Sequence, residues 1–227
     1  MIIKKRTTPI DIAKLEAAIP RLPVSYRNRL EKQLVIRHKG YNGELKVDRY
    51  TEAMLAHNFT ILHDVYLYNK GCSFQIDTLI IGSHCIFVVE IKDYSGTILF
   101  NFTTNQFTRI FNHSETSFRN PIIQSTTNKH QLTQWLEAHN FTSIPIFSLV
   151  AIADPGTILK IFPEDFDISN VVMHGEYLPH RIMKIDEEFS KEKRLLHQKI
   201  GAVILKNCEV FNSDFIIESG IDPRHLQ

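Results

Sequence analysis

The chain contains no apolar run near the roughly 20 residues that a membrane-crossing helix needs. Its opening, MIIKKRTTPIDIAKLE, lacks the apolar stretch that follows the basic start of a secretory leader. These two absences predict a cytoplasmic protein without a membrane partner. Cysteine is scarce. Cys72, Cys85 and Cys208 are odd in number and show no CxxC spacing, which fits reduced thiols better than a disulfide framework or a zinc cluster. Eleven histidines never fall into HxxxH, so zinc has no ligand pattern to support it. P-loop, GxGxxG and GxSxG motifs are missing, which removes the common phosphate-cradling loops and the serine nucleophile elbow. No internal repeat or low-complexity linker appears. Charge is also nearly absent as a sum: +1 over 227 residues, which does not describe a globally basic nucleic-acid binder.

The charge is unevenly placed, however. Residues 1–39 hold ten Lys/Arg against Asp11, Glu16 and Glu31, a local excess of seven, so the remainder carries an excess of six acids. A basic arm on an acidic body suits contact with a phosphate backbone, and it equally describes a solvated helical face. Lys32, Arg37 and Lys39 are the arm's candidate nucleic-acid contacts. With 43% hydrophobic residues the chain can bury one good core.

The order of patterns predicts an α/β architecture. TTPIDIAKLEAAIP spaces Ile12, Leu15, Ala18 and Ile19 at helical intervals, with Thr8 in position to cap, Pro9 at the first helical place, and Pro20 and Pro23 as the stop. A second basic helix, SYRNRLEKQLVIRHK, follows. Gly40 and Gly43 then punctuate the chain before a third helix that has Glu44 in its first turn. Strand patterns begin near residue 60: FTILHDVYLY, SFQIDTLIIG, HCIFVVEIKD, TILF and QFTRIF. A helix from Pro121, a buried strand IPIFSLVAIAD, a short strand NVVMH and one terminal helix, DEEFSKEKRLLHQKIGAVILK, complete the reading.

Three charges interrupt this apolar pattern. Asp77 follows FQI, and Glu90 and Lys92 close IFVVEIK. Side chains alternate along a strand, so Glu90 and Lys92 share a face, about 6.6 Å apart along it. The Gly82–Ser83 turn makes the two strands antiparallel neighbours, which brings Asp77 towards the same end. Burying these charges for stability alone is a poor bargain, because an apolar replacement is often as stable as a buried ion pair. Two carboxylates can instead share a divalent cation while an ammonium positions water or offsets developing charge, which is the chemistry of metal-assisted phosphodiester hydrolysis. A structural reading, with Lys92 merely neutralising the two acids, stands beside it.

Four segments together resemble the nuclease-related domain family, a branch of the PD-(D/E)xK nucleases: KGYNGE at 39–44, FQIDTLII at 74–81, VVEIKDYSG at 88–96 and NPIIQSTTNKHQL at 120–132. The resemblance implies a restriction-endonuclease-like core, a central mixed β-sheet flanked by helices, over residues 37–175. A basic helical extension at 1–36 precedes it and a C-terminal helical segment at 176–227 follows. It also implies that Asp77 and Glu90 bind Mg²⁺ or Mn²⁺, that Lys92 is the catalytic lysine, and that Glu44 reaches the ion directly or through water. Gln124 resembles the glutamine that supports the family's site. The expected partner is DNA, with RNA the other candidate, and the alternative is a catalytically inactive module of the same fold. Without the resemblance, Glu44 has a competing reading as an acid at a helix N-terminus, and Gln124 reads equally as a buried hydrogen-bonding residue.

Overall fold

The structure, a computed structural model, describes residues 1–210. These fall into two compact units, one of Met1–Arg6 with Gly43–Glu209, the other containing Thr7–Asn42. In the smaller unit, α1 (Ile10–Ala18), a 3₁₀ turn at Ile19–Arg21 and the first part of α2 (Val24–Leu55) bury Leu15, Ala18, Ile19, Leu22 and Leu30 together. Pro9, not Thr8, occupies the N-cap of α1, and no side chain caps it.

A six-stranded mixed sheet forms the larger unit's centre, in the order β1-β2-β3-β4-β8-β10. Its strands are β1 (Ile2–Lys4), β2 (Thr60–Asn69), β3 (Cys72–Ile81), β4 (Ile86–Lys92), β8 (Ile146–Ile152) and β10 (Val172–His174). The β2, β3 and β4 strands are successive antiparallel neighbours, while β8 and β10 continue from β4 in parallel and β1 runs parallel to β2. A second sheet, β7-β6-β5-β9, holds β5 (Thr97–Asn101), β6 (Gln106–Phe111), β7 (Ser114–Phe118) and β9 (Ile158–Phe162). The chain is thus an α/β protein of mixed sheets with flanking helices, consistent with the restriction-endonuclease-like fold. The sequence pattern shows neither β7, which is exposed throughout, nor β1 and β9, none of whose residues is fully buried.

The central strand β4 is covered on both faces, as its double apolar register requires. Phe87, Val89 and Ile91 pack against Val47 and Leu55 of α2 and against Leu178, Ile182 and Ile185 of α4 (Leu178–Glu188). Ile86 and Val88 pack against Leu132, Trp135 and Leu136 of α3 (Pro121–Ala138). Helix α3 starts where the sequence predicts: Pro121 fills the first helical position, and the Asn120 side chain accepts a hydrogen bond from the Ile122 amide at 2.9 Å. The single terminal helix expected from the sequence is two, α4 and α5 (His197–Asn207), parted by the charged segment 189–196. The final part of that expected C-terminal region lies outside the described residues.

Two further departures shape the site. First, α2 runs through both Gly40 and Gly43, so Glu44 sits in the interior of a 32-residue helix and cannot serve as a first-turn acid. Gly43 is there for proximity: a Cβ at that position would lie 2.4 Å from the Cβ of Asp93, just past the end of β4. Second, the apolar alternation of β2 and β3 reverses partway along each strand. Leu62, Leu79 and Ile81 face α3, and beyond Asp64 and Asp77 so do Val65, Leu67, Phe74 and Ile76, which strict alternation would send to the opposite face. The reversal sits at Asp64, whose φ of 51° is left-handed.

Candidate functional site

The pairing register places an acid on each of three neighbouring strands. His63 pairs with Thr78 and Val65 with Ile76, so Asp64 falls opposite Asp77. Thr78 pairs with Val89, so the next step sets Asp77 against Glu90. At that step the β3–β4 ladder gives way to a side chain, as Asp77 Oδ2 accepts the Ile91 amide hydrogen at 2.7 Å. One carboxylate oxygen of Asp77 is thereby fixed to the neighbouring strand, and Oδ1 has no hydrogen-bond partner among the described residues.

Glu90 is buried, and Lys92, two residues on and on the same face, donates from Nζ to its Oε1 at 2.7 Å. Burial and the charge of Asp77 push the Glu90 carboxyl up to about 7 despite the lysine. Burial also works against the Lys92 ammonium, yet Glu90 and Asp77 outweigh it and hold the lysine protonated above its ordinary range. As an ammonium, Lys92 is a donor and a positive charge at neutral pH, not a proton acceptor. Arg119, exposed just before α3, is near enough to Glu90 to favour its ionised form.

Arg6 gathers the acids on the β2 side. Its side chain is 2% exposed and bonds Glu44 Oε2 at 2.7 Å and Asp64 Oδ1 at 2.6 Å through Nη1. It also grips Asp48 with Nε and Nη2 at 2.6 and 3.2 Å. Nη2 reaches the main-chain carbonyl of Asp77 at 2.8 Å and the Thr78 hydroxyl at 3.0 Å. One guanidinium is thus divided among three carboxylates, and the division shows in their ionisation. Burial raises the Glu44 carboxyl to about 8, with Asp77, Asp64 and Asp48 adding to the rise and Arg6 only partly opposing it. Asp64 is raised for the same reason. Asp48 moves the other way, because hydrogen bonds from His63 and Arg6 together outweigh its burial. Lys4 completes the arrangement by donating to the carbonyls of His63 and Asp64, both at 2.8 Å, where the β2 backbone is left-handed.

The structure therefore brings Asp77, Glu90 and Lys92 together and ties Glu44 to the same region through Arg6, which also bonds the Asp77 carbonyl. Gln124 is half-buried on the second turn of α3. Arg37 is engaged by Asp11 at 2.8 Å, Lys32 is exposed and Lys39 is half-buried, all within the smaller unit. Sequence reasoning missed Arg6 and Asp64. Asp64 carries the signal that exposed Asp77, an acid inside an apolar strand. Arg6 sits in a KKR run that reads as solvated charge.

Among the described residues no three His, Cys, Asp or Glu side chains are close enough together to form a ready metal cluster. The donor chemistry nonetheless suits a hard divalent ion. Asp77, Glu90 and Glu44 each use one carboxylate oxygen in a bond, and the other has no hydrogen-bond partner among the described residues.

An α/β core of this type, with an acid, a second acid and a lysine at one end of its central antiparallel strands, defines the restriction-endonuclease-like class. A family model described as nuclease-related domain matches residues 39–153, half of the chain, and the chain belongs to that family within the PD-(D/E)xK superfamily. An uncharacterized protein of Bacillus anthracis is 32% identical over 111 residues, covering 48% of this chain and 51% of that protein. The chain thus matches about half the length of this curated relative. No solved structure matches it. Among the described residues no helix is long and apolar enough to cross a membrane.

Proposed function

We propose that the chain is a divalent-metal-dependent nuclease that hydrolyses phosphodiester bonds, acting on DNA in its processing. The observation that carries this reading is the convergence, inside the family-matched region, of Asp77 fixed on the Ile91 amide with the Glu90–Lys92 pair. Asp77 and Glu90 would hold Mg²⁺ or Mn²⁺, and Glu44 would reach it through water. The ion supplies Lewis acidity and a lowered pKa for its bound water. Lys92, held as an ammonium, orients the attacking water or stabilises charge building on the phosphoryl oxygens. Gln124 supports the site from α3, and Lys32, Arg37 and Lys39 contact the nucleic-acid backbone.

A second reading rests on one observation. The acids are already bonded to internal cations, Lys92 on Glu90 and Arg6 on Glu44, as expected of a nuclease-fold module that binds nucleic acid or a protein without turnover. Isothermal titration of Mn²⁺ and Mg²⁺ into wild type and Asp77→Ala, with plasmid and single-stranded DNA cleavage on the same samples, separates the two. Metal binding that needs Asp77, accompanied by cleavage that also fails in Lys92→Ala, supports the nuclease. Full metal-dependent cleavage by either variant would refute the assignment, and absence of metal binding in wild type would favour the inactive module.

A further inference from the structure

The three acids of the cross-strand row do not stand in equivalent company. Glu90, at the β4 end, is bonded to the Lys92 ammonium. Asp64, at the β2 end, is bonded to the Arg6 guanidinium, which also takes Glu44 and both oxygens of Asp48. Asp77 lies between them, and among the described residues its carboxylate is hydrogen-bonded only to a main-chain amide, while the nearby Lys92 ammonium, whose charge it feels, is bonded to Glu90 instead. A row with a fixed positive charge at each end and an unpaired carboxylate at the middle has one place for a mobile cation. A second divalent ion on the β2 side would have to share Glu44, Asp48 and Asp64 with a guanidinium that is 2% exposed and hydrogen-bonded through all three of its nitrogens.

From this geometry we infer that the site takes a single divalent cation, centred on Asp77, and that Arg6 is a permanent internal cation standing where a second metal ion would otherwise bind. The inference rests on the metal-dependent reading above and deepens it, since a one-ion site leaves the leaving-group side to be stabilised by protein donors instead of a second metal. Arg6 acts here as a positioning residue. It holds Glu44 through one nitrogen and the Asp77 carbonyl through another, so helix α2 and strand β3 are referenced to one rigid planar group. It also lies well before the family-matched span of 39–153, so this cation is a feature this chain supplies from outside the shared region.

The test is a count of bound Mn²⁺ on the full chain, by isothermal titration and by electron paramagnetic resonance at saturating Mn²⁺, which distinguishes isolated from spin-coupled ions. Wild type should bind one ion per chain with an uncoupled spectrum, and Asp77→Ala should lose it. Arg6→Gln removes the charge and the group that spaces Glu44, Asp48 and Asp64 apart, so these three carboxylates, which form no ready cluster while Arg6 lies between them, should close on a second ion. Arg6→Lys keeps the charge and should stay at one. Two coupled ions in wild type would overturn the inference and leave the nuclease reading standing, whereas no bound ion would overturn both. A folded Arg6→Gln that still binds only one ion would also overturn it. If Arg6→Gln fails to fold by circular dichroism, the wild-type and Arg6→Lys counts decide on their own.

Discussion

Replacing Gly43 by alanine sets two effects of known sign against each other. An alanine inside a helix is favoured over glycine by about 0.5–1 kcal/mol. At Gly43 the new Cβ would lie 2.4 Å from Asp93 Cβ and 3.0 Å from its Cγ, where ordinary contact begins at 3.4 Å. The obstruction is not a flexible side-chain tip. The Asp93 Cβ is fixed by the backbone leaving β4, its side chain is 5% exposed, and Lys46 reaches its carboxylate at 3.6 Å. Helix α2 and the β4 exit must therefore separate by about 1 Å, a strain in the class that costs about 1–3 kcal/mol. Gly40, one turn earlier on the same helix, has nothing within 4 Å of the equivalent Cβ. Gly40→Ala should therefore gain the full helix preference, while Gly43→Ala ends about 1–3 kcal/mol below it, a gap of about 2–12 °C in Tm for a chain of this size. Urea unfolding of both variants beside wild type measures the gap. Glu44 is the adjacent residue, so in the proposed nuclease the same displacement should lower cleavage by up to about 100-fold, with Gly40→Ala unaffected. A Gly43→Ala protein as stable as Gly40→Ala would refute the close approach and the reason given for that glycine.

Asp186, on α4, accepts hydrogen bonds from the Ser83, His84 and Cys85 amides at 3.2, 2.8 and 3.0 Å and so fixes the β3–β4 turn. Bonds to a charged acceptor contribute about 1.5–3 kcal/mol each, and water can replace part of that at Ser83 and His84. Asp186→Ala should therefore destabilise by about 2–4 kcal/mol in urea unfolding, and a loss below about 0.5 kcal/mol would show that the turn holds itself. Stability of the metal-free protein should peak on the acid side of neutrality. Glu44 and Glu90 are raised to about 8 and about 7, so their contribution is complete below the ordinary glutamate range and is lost as pH climbs through those values. Asp48 is lowered, so its contribution is present above the ordinary aspartate range and is lost as pH falls through its folded value. Thermal melts from pH 3 to 9 should trace this curve, and saturating Mn²⁺ should lift its alkaline side, since a bound cation favours the ionised carboxylates. An alkaline limb that stays flat without metal would contradict the buried-carboxylate account.

Much of the candidate site's placement was legible because charge inside an apolar strand is rare enough to demand a partner. Asp77, Glu90 and Lys92 follow from that argument and from strand alternation, and the structure places the pair and the Asp77 anchor where the register requires. Helix boundaries were less legible. Gly40 and Gly43 read as breaks because glycine is the usual punctuation, but packing of α2 against β4 overrides local preference at Gly43, and at Gly40 the helix simply continues through an exposed position. Asp64 was within reach of the same reasoning as Asp77, being an acid in the middle of TILHDVYLY. Its left-handed backbone was not, since its partners are Lys4 at the end of β1 and Arg6 just beyond it, about 60 residues away in sequence. Arg6 itself has no local signature. A basic residue in a basic run reveals a buried role only once β1 is paired beside β2.

The shared portion of a family and the portion that must fold together need not coincide. A fragment cut to residues 39–153 would keep Glu44, Asp77, Glu90, Lys92 and Gln124, and by motif it would look complete. It would also discard β1 with Arg6, β10, and the α4 face carrying Leu178, Ile182 and Ile185, leaving Phe87, Val89 and Ile91 partly uncovered and Glu44, Asp48 and Asp64 crowded together without their shared cation. Inactivity or insolubility of such a fragment would report on where it was trimmed and say nothing about the chemistry of its motifs.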